Sequence, residues 1–589
     1  MPVSLPPDSA RWCVVGRTAA GGLAAVGIAA DGTQQDPVEL TREELTRFVA
    51  ELEAAAAPRW VWHSTSSYYP GLLAAGVRVE RCHDLLLCHQ ILSTSAFVTE
   101  PGPLRAAEPW SVPSQLPDAG GSLAGHAPGV PALFDLEAGP SATDAPASLD
   151  DALAEFARQR AAVDSSREPG RLSLLLAAES AGALVAAELA AAGVPWDTAE
   201  HDRLLAETLG PRPATADAKP QKLIEAAARV REALGDPTAS LDSHPKLLRA
   251  LRAAGIEVSS TSQWELAEHT HPAIEPLLAY KKLSRLLSAN GWAWLDEWVD
   301  DGRYRPVYVP GGVVTGRWAS SGGGALQLPR MLRPALRADP GWLLVSADVS
   351  QLEPRVLAAM SGDRAMAAAG RGRDLYSGIV ESGSLPTRDD AKIAMLGAMY
   401  GATSGDSGRL VPRLRRAFPA AMGFVDAAAA VGERGGTVST WLGRSSPPAE
   451  PEWREVQAAA SLPGASKRDE DLARRTARDR GRFTRNFVVQ GTAAEWALAW
   501  LANIRRGLAA LAPVAEEQAA RPSGPTFERR PHLAFFLHDE IIVHTPAEHA
   551  DAVSRVVTES ADAAGRLLFG TAEVDFRLDL RVTERAEKG

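Results

Sequence analysis

The sequence predicts an α+β protein built from several domains. Its 589 residues exceed what a single hydrophobic core supports, which indicates about three or four domains. Short apolar runs near Trp12, Trp342 and Phe535 are typical of strands, whereas apolar residues at helical spacing dominate residues 172–287. Strand-rich and helix-rich stretches in separate parts of the chain favour an α+β arrangement.

Composition is that of a globular protein, with 45% apolar and 23% charged residues. The formal net charge of −11 by itself argues against a nucleic-acid partner. However, the stretch from Lys467 to Arg485 holds eight basic and four acidic residues. Such a run is either a solvated helix face or a local positive field that attracts phosphates.

Three cysteines, Cys13, Cys82 and Cys88, are too few for a disulfide framework, which favours a reducing cytoplasm. The first residues lack the basic start and apolar core of a signal peptide. We identify no uninterrupted apolar run of the ~20 residues needed to span a bilayer. We therefore expect a soluble cytoplasmic protein without membrane contact.

The first unit is predicted over residues 1–165. Residues 12–15, 24–29 and 59–63 read as strands of an α/β layer. A Pro-, Gly-, Ala- and Ser-rich stretch over about 101–147 predicts a surface loop or linker.

The next unit, residues 166–312, is predicted to be mainly helical. One amphipathic helix begins near Leu172 and stops at Gly193-Val194-Pro195, and another covers Lys219 to Leu234. Such helices are usually core and scaffold.

Residues 313–589 carry the candidate chemistry. The apolar strand Leu343–Val345 ends at Asp348 and turns at once into a helix near Gln351, while His538-Asp539-Glu540 stands between two apolar runs as the tip of a hairpin. Each carboxylate alone would ordinarily be a solvated turn residue. If both lie on neighbouring strands, they can hold two metal ions that clamp the attacking and leaving oxygens of a phosphoryl transfer.

These stretches resemble motifs A and C of the family A DNA polymerases, the DNA polymerase I type. Motif A stands as Asp348, Ser350, Gln351, Leu352, Glu353 and Arg355, and motif C as His538, Asp539 and Glu540. Motif B is represented by Arg388, Lys392, Tyr400 and Gly401. Further matches in the family's order are Thr315-Gly316-Arg317, Leu326-Gln327, Arg482 with Asn486, and Gln490-Gly491-Thr492-Ala493-Ala494.

The resemblance implies a right-hand polymerase fold of palm, fingers and thumb, preceded by an α/β ribonuclease-H-like unit of the 3'–5' exonuclease type. Residues 166–312 would be mainly thumb and 313–589 palm and fingers, with the fingers at about 365–480. It implies template-directed DNA synthesis on primer-template DNA from deoxynucleoside triphosphates, with two Mg²⁺ ions, or Mn²⁺ in their place. We expect a monomer in the bacterial cytoplasm or nucleoid.

The family also supplies a role for each residue. Asp348, Asp539 and the Val349 carbonyl would bind metal, Lys392 would assist catalysis, and Glu540 would be a supporting acid. The nucleotide would contact Gln351, Glu353, Tyr376, Arg388, Lys392, Leu396 and Tyr400. Primer-template DNA would contact Arg317, Gln327, Arg482, Asn486, Gln490 and His538. Glu353 would occupy the space that a ribose 2'-hydroxyl needs and so reject ribonucleotides.

Helical spacing supports the motif B assignment independently. Arg388, Lys392, Leu396 and Tyr400 recur every four residues and share one helix face. Cations at this spacing are otherwise an ordinary solvated stripe. Three positions depart from the family: Leu396 replaces an aromatic residue, Tyr376 a histidine, and Ala325 an asparagine. The departures at Leu396 and Tyr376 predict a slower or less exacting enzyme, and the one at Ala325 predicts that one minor-groove contact is missing.

The first unit lacks the acids that an exonuclease needs. The family places Asp-x-Glu where Val15-Gly16-Arg17-Thr18 stands, and only Asp84 resembles a surviving acidic position. Without clustered carboxylates no metals are held, so we expect a remnant that does not proofread. The expected role is gap filling or repair. A catalytically silent DNA-binding factor and a 3'–5' exonuclease are the alternative functions.

Overall fold

The computed structural model describes residues 10–111, 146–215, 217–401 and 405–586. The elements of the N-terminal unit are, in chain order, β1 (Ala10–Arg17), β2 (Leu23–Ala29), β3 (Val38–Leu40), α1 (Arg42–Ala55), β4 (Arg59–Trp62), α2 (Thr65–Ala74), β5 (Cys82–Asp84), α3 (Leu85–Thr94), α4 (Gly102–Arg105) and α5 (Leu149–Asp164). The five strands form one sheet in the order β3-β2-β1-β4-β5. β4 and β5 run parallel to β1, whereas β2 and β3 form an antiparallel meander beside it.

Both faces of this sheet are covered, because successive β1 side chains point to opposite sides. Cys13 and Val15 pack with α1 and α2, and Val14 packs with α5. The three predicted strands are confirmed. Helix α4 and a 3-10 turn at Glu108–Trp110 interrupt the loop predicted over 101–147, of which residues 112–145 lie outside the described residues.

The second stretch is mostly helical. Its elements are α6 (Pro169–Ala192), β6 (Val194–Pro195), α7 (Thr198–Leu209), α8 (Gln221–Leu234), α9 (His244–Ala253), α10 (Gln263–Ala267), α11 (Ile274–Asn290), α12 (Trp292–Trp298), β7 (Val299–Asp300), β8 (Arg303–Tyr304), β9 (Val307–Val309) and β10 (Ala319–Gly322). Helices α8 to α11 enclose a small core of their own. Within the described ranges, α6 alone is long and apolar enough to cross a membrane. Because 67% of its most apolar 18-residue segment is buried inside the protein, α6 has the apolar composition expected of a core helix.

The last stretch contains the central sheet. Its elements are β11 (Trp342–Val349), α13 (Leu352–Ser361), α14 (Arg364–Gly370), α15 (Leu375–Glu381), α16 (Arg388–Tyr400), α17 (Gly405–Ala417), α18 (Pro419–Glu433), α19 (Pro451–Ala460), α20 (Lys467–Ala509), α21 (Gly524–Phe527), β12 (His532–Leu537), β13 (Glu540–Pro546), α22 (Ala550–Phe569) and β14 (Leu578–Thr583). The sheet is antiparallel throughout, in the order β12-β13-β11-β14. It packs on α20 and α22 to form the largest core, and α13 to α18 form a second core beside it.

Helix α20 connects all these parts. Ser466 and Asp469 close its first turn with reciprocal side-chain bonds to backbone amides, and its 43 residues extend about 64 Å at the usual rise. Near its end, the buried Arg505 guanidinium donates to the Glu188 carboxylate of α6 and, at 3.2 Å, to the Tyr69 hydroxyl of α2. Arg78 also donates to Glu188, at 3.0 Å. This network fixes the N-terminal unit to the core.

Candidate active site

The central sheet places two predicted acids at one edge. Asp348 is the penultimate residue of β11, and Asp539 follows His538 in the turn between β12 and β13. The Val349 amide donates to the Asp539 carbonyl oxygen at 2.9 Å, which holds the end of β11 against this turn. The two carboxylates therefore lie close together although they are remote in sequence.

Crowding changes the proton affinity of both carboxylates. Burial, and then the charge of Asp348, raises the pKa of Asp539 to about 7. Burial raises the pKa of Asp348 as well, and the neighbouring Glu540 and Asp579 add to the effect. Across the described residues, neither carboxylate accepts a hydrogen bond or ion pair from another residue. Uncompensated negative charge of this kind favours a bound cation.

The donor set fits a hard divalent ion that shares its coordination with a substrate. Two carboxylates and the Val349 carbonyl supply the oxygen ligands that Mg²⁺ prefers, and Mg²⁺ commonly takes its remaining ligands from water and phosphates. In the parts of the chain that are described, no three His, Cys, Asp or Glu side chains are grouped to hold a metal by themselves. The site is therefore an open one.

Two acids beside Asp348 differ from the sequence interpretation. Glu540 belongs to strand β13 and not to the hairpin tip, is 8% exposed, and accepts two hydrogen bonds from Arg333, one of them at 2.7 Å. Asp579 lies opposite Asp348 on β14 and was missed. The signal was available, because Asp579 and Arg581 alternate with apolar residues over 578–582.

A cleft of about 260 Å³ opens beside these acids. The predicted residues that line it are Arg317, Gln351, Glu353, Tyr376, Leu396, Tyr400, His538 and Asp539. Lys392 and Arg388 lie one and two turns further from the cleft, respectively, on the same face of α16. Helix α20 carries Arg482, Asn486 and Gln490. The Gln327 side chain lies outside the described part of the structure. The sheet thus gathers residues assigned to metal, nucleotide and DNA.

Glu353 links three walls of the cleft. It forms an ion pair with Arg317 and accepts a hydrogen bond from the Tyr400 hydroxyl at 2.7 Å. Burial and the Glu353 charge raise the pKa of Tyr400, so its hydroxyl stays protonated and donates. The predicted sugar-selecting residue is therefore held in one position.

The exposed face of α16 is held in a similar way. The Arg388 guanidinium pairs with Asp374 at 2.8 Å, and Asp374 also accepts from the Gln351 amide at 2.9 Å. The same guanidinium lies 5.6 Å from the centre of the Tyr376 ring. Lys392 has no hydrogen bond or ion pair within the described ranges. A phosphate that binds Arg388 must share it with Asp374 or displace Asp374.

Two residues at the cleft adopt a backbone conformation that is unfavourable for side chains larger than glycine. Gln351 has φ 53° and His538 has φ 57°. Strain of this kind is kept only where the surroundings enforce it. The buried Arg355 supplies part of that support near Gln351, donating to the Ser350 carbonyl at 2.8 Å and to Asp575 at 2.8 Å.

A buried acidic network lies behind Arg317, and sequence reasoning missed it. Gly316 has φ 86°, and a Cβ there would lie 2.5 Å from Nε of Arg444. Arg444 pairs with Glu179 of α6 at 2.6 Å. Glu495 of α20 accepts from the Leu442 amide at 3.0 Å, and burial raises its pKa to about 7. The network fixes the loop that presents Arg317.

Asp84, the acidic residue of the N-terminal unit that resembles an exonuclease position, has a different environment from Asp348 and Asp539. Asp84 is 2% exposed and accepts from the Thr65 amide at 2.7 Å and the Leu87 amide at 3.1 Å. It caps the first turn of α3. In a neighbouring cavity of about 440 Å³, Asp84 is the single acidic residue among the lining residues.

The family profile of DNA polymerase family A matches residues 241–586. DNA polymerase I of Chloroflexus aurantiacus is 28% identical over 350 residues, which are 54% of this chain and 33% of that protein. Thermostable DNA polymerase I of Thermus aquaticus is 28% identical over 338 residues, 52% of this chain and 36% of that protein. The chain thus spans about a third of the length of these curated relatives.

A solved structure resembles nearly the whole chain. The POL domain of Pol1 from M. smegmatis, in complex with DNA primer-template and dNTP, matches with a TM-score of 0.65 and 18% identity, covering 98% of this chain and 96% of that one. The likeness confirms the predicted α+β fold of palm, fingers and thumb after an α/β unit. Family A DNA polymerases generally use divalent metals. Because the family profile covers more than half of the sequence, the chain belongs to DNA polymerase family A.

Proposed function

We propose that the protein is a template-directed DNA polymerase that adds deoxynucleotides to a primer 3' end by two-metal phosphoryl transfer. The observation that carries this proposal is that Asp348 and Asp539, which have no hydrogen-bond or ion-pair partner among the described residues, lie beside a cleft lined by Leu396 and Tyr400 of α16. An inactive DNA-binding protein has no need for two acids whose pKa values are raised by burial and by neighbouring carboxylates.

Asp348, Asp539 and the Val349 carbonyl would hold the divalent ions. When bound, such ions stabilise the attacking and leaving oxygens of an in-line displacement. Arg333 keeps Glu540 turned into the sheet, so Glu540 acts on the site through its charge on Asp348. Gln351 braces the turn between β11 and α13 through Asp374.

The α16 face would bind the triphosphate. Arg388 is assigned to the γ-phosphate and Lys392 to the α-phosphate side, where its ammonium can donate a proton toward the leaving pyrophosphate. Tyr376 would be a further phosphate contact beside Arg388. Leu396 offers an apolar wall to the sugar, and Tyr400 stacks at the nascent pair.

Glu353 would select the sugar by occupying the space of a 2'-hydroxyl. We expect Glu353→Ala to incorporate ribonucleotides at least about tenfold better relative to deoxynucleotides, since a steric clash worth on the order of 1–3 kcal/mol is removed. Glu353→Gln is the matched control, because it keeps the side-chain volume while it removes the charge and one of the two oxygens that accept from Arg317 and Tyr400. Competitive single-nucleotide incorporation measures the ratio. Equal ratios in the two variants would contradict the steric role.

Primer-template DNA would lie against Arg317, Gln327, Arg482, Asn486, Gln490 and His538. Arg317 must share its guanidinium between Glu353 and the minor groove, where base edges present acceptors common to all pairs. The Asn486 side-chain oxygen is buried and has no hydrogen-bond partner in the described structure.

We further propose that the enzyme does not proofread and acts in repair or gap filling as a cytoplasmic monomer. Asp84, the one residue that matches an acidic exonuclease position, accepts hydrogen bonds from the backbone amides of Thr65 and Leu87, and this structural role also disfavours the 3'–5' exonuclease alternative.

Primer extension with Mg²⁺, four deoxynucleotides, and matched and mismatched primers tests the proposal. We expect extension of the matched primer that stops when Mg²⁺ is chelated, and no removal of a mismatched 3' nucleotide. Binding without extension would support the inactive factor instead. Loss of the mismatched nucleotide would support the exonuclease.

A further inference from the structure

The N-terminal half of α20 carries a stripe of exposed arginines. Arg468, Arg475 and Arg482 recur every seven residues, a spacing that keeps them within about 20° per step on one helix face. Asn486 continues the same face toward the cleft. At the usual rise, Arg468 lies about 21 Å along the helix from Arg482.

The first two arginines are not neutralised within the fold. Within the described ranges, Arg468 and Arg475 form no ion pair or hydrogen bond, and both are exposed. Arginines on other faces of the same helix are engaged: Arg474 pairs with Asp471, and Arg480 donates to backbone carbonyls at 3.1 and 3.0 Å. Arg482, the third residue of the stripe, pairs with Asp479, so the unpaired cations of the stripe are Arg468 and Arg475.

Helix α19 packs on the opposite side of α20 and leaves the stripe uncovered. Trp453 donates to the Thr476 carbonyl at 3.3 Å, and Gln457 donates to the Ala473 carbonyl at 3.0 Å. At 100° per residue, positions 473 and 476 point about 100–160° away from Arg475. The exposure of the stripe is therefore a property of the packed structure.

The stripe is continuous with the candidate active site. A Cβ on Gly401 would lie 2.7 Å from Cγ of Arg482, so this arginine packs against the residue that follows Tyr400. Gly401 ends α16 with φ 74°, and Tyr400 lines the cleft. A strand that leaves the cleft past Tyr400 meets Arg482 first and then Arg475.

We propose that the stripe binds the phosphates of the unpaired template strand ahead of the cleft. This inference rests on the proposed function. Charge complementarity supports it, because the chain as a whole carries −11 whereas Arg468 and Arg475 present unpaired cations to a polyanion. A groove of positive charge that tracks the backbone is a common means of holding a single strand without reading its sequence.

The test compares primer-templates with a template overhang of one nucleotide and of about twelve nucleotides. Fluorescence anisotropy at several salt concentrations measures the Kd of the wild type and of Arg468→Ala/Arg475→Ala. The control variant is Arg474→Ala/Arg506→Ala, which removes two paired arginines from other faces of α20.

We expect the wild type to bind the long overhang at least about tenfold more tightly than the short one, and the stripe variant to lose that gain. Its salt slope on the long overhang should fall by about 1.4, since each lost single-strand phosphate contact contributes about 0.7. The control variant should retain both. Arg468→Lys/Arg475→Lys should also retain most of the gain, which separates lost charge from a folding defect.

Three results would overturn the inference: no overhang-dependent gain in the wild type, an unchanged gain in the stripe variant, or an equal loss on both substrates, which would assign the stripe to duplex DNA. Extension of the short-overhang primer is measured in parallel. If the primer is extended normally while the stripe variant keeps its tighter binding of the long overhang, only the inference fails. If neither the wild type nor any variant extends the primer, the proposed function fails.

Discussion

Acidic residues stand at strand ends in two parts of this molecule, and they differ in what surrounds them. At the end of β5, Asp84 is buried and accepts hydrogen bonds from two backbone amides. At the edge of the central sheet, Asp348 and Asp539 are close together and accept no hydrogen bond from another described residue. All three acids lie at or next to a strand end. Asp348 and Asp539 accept no such bonds within the described structure, and the charge of Asp348 helps to raise the pKa of Asp539, so this pair is the better candidate for a metal.

The largest expected effect is at the central sheet. Asp539→Asn should slow nucleotide addition at least about 10³-fold, or ~4 kcal/mol, because a metal ligand and its charge are lost. The matched control is Asp579→Asn, which lies opposite Asp348 but pairs with Arg581 at 3.2 Å. Single-turnover primer extension measures the rate. Comparable losses in both variants would place the reactive acids elsewhere on the sheet.

In the N-terminal unit the expected effect is on stability. Asp84→Ala should lower the free energy of unfolding by about 2 kcal/mol, since two buried amides lose their acceptor. Asp84→Asn should lose roughly half of that, because its one remaining oxygen still accepts one bond. Urea denaturation measures both. Removal of a mismatched 3' end that disappears in Asp84→Ala would contradict the structural role.

The smallest expected effect is on the pH dependence of stability, and it arises from a buried acid outside both of these sites. Glu495 is buried and hydrogen-bonded, and its pKa is raised to about 7. Because the folded state binds this proton more tightly than the unfolded state, the stabilisation is full below the ordinary pKa of glutamate and is lost as pH rises through about 7. Between pH 6 and pH 8 the loss should be about 1 kcal/mol. Glu495→Gln should flatten this slope in urea denaturation, and an unchanged slope would assign it to another group.

Sequence alone predicted the fold class and the residues that line the cleft, because strand ends, helical spacing and family motifs are local signals. The role of each residue stays a prediction. The sequence did not predict the partners of these residues. Arg333 binds Glu540, and Arg444 binds Glu179, although each pair is more than two hundred residues apart in the sequence. Periodicity carries no information about such contacts. Asp579 was missed although its alternation with apolar residues predicts a strand, because the sequence does not show that this strand pairs with β11 beside Asp348.

The ion-pair network around Arg505 gives the N-terminal unit a structural role that does not depend on catalysis. If that unit were cut away, Glu188 would lose Tyr69 and Arg78, and the guanidinium would lose the Glu80 carbonyl that it contacts at 2.6 Å. Burying such a charge with fewer partners is costly. Acidic side chains elsewhere in the N-terminal unit can therefore be replaced without disturbing this network, whereas deletion of the entire segment would destabilise the rest of the fold.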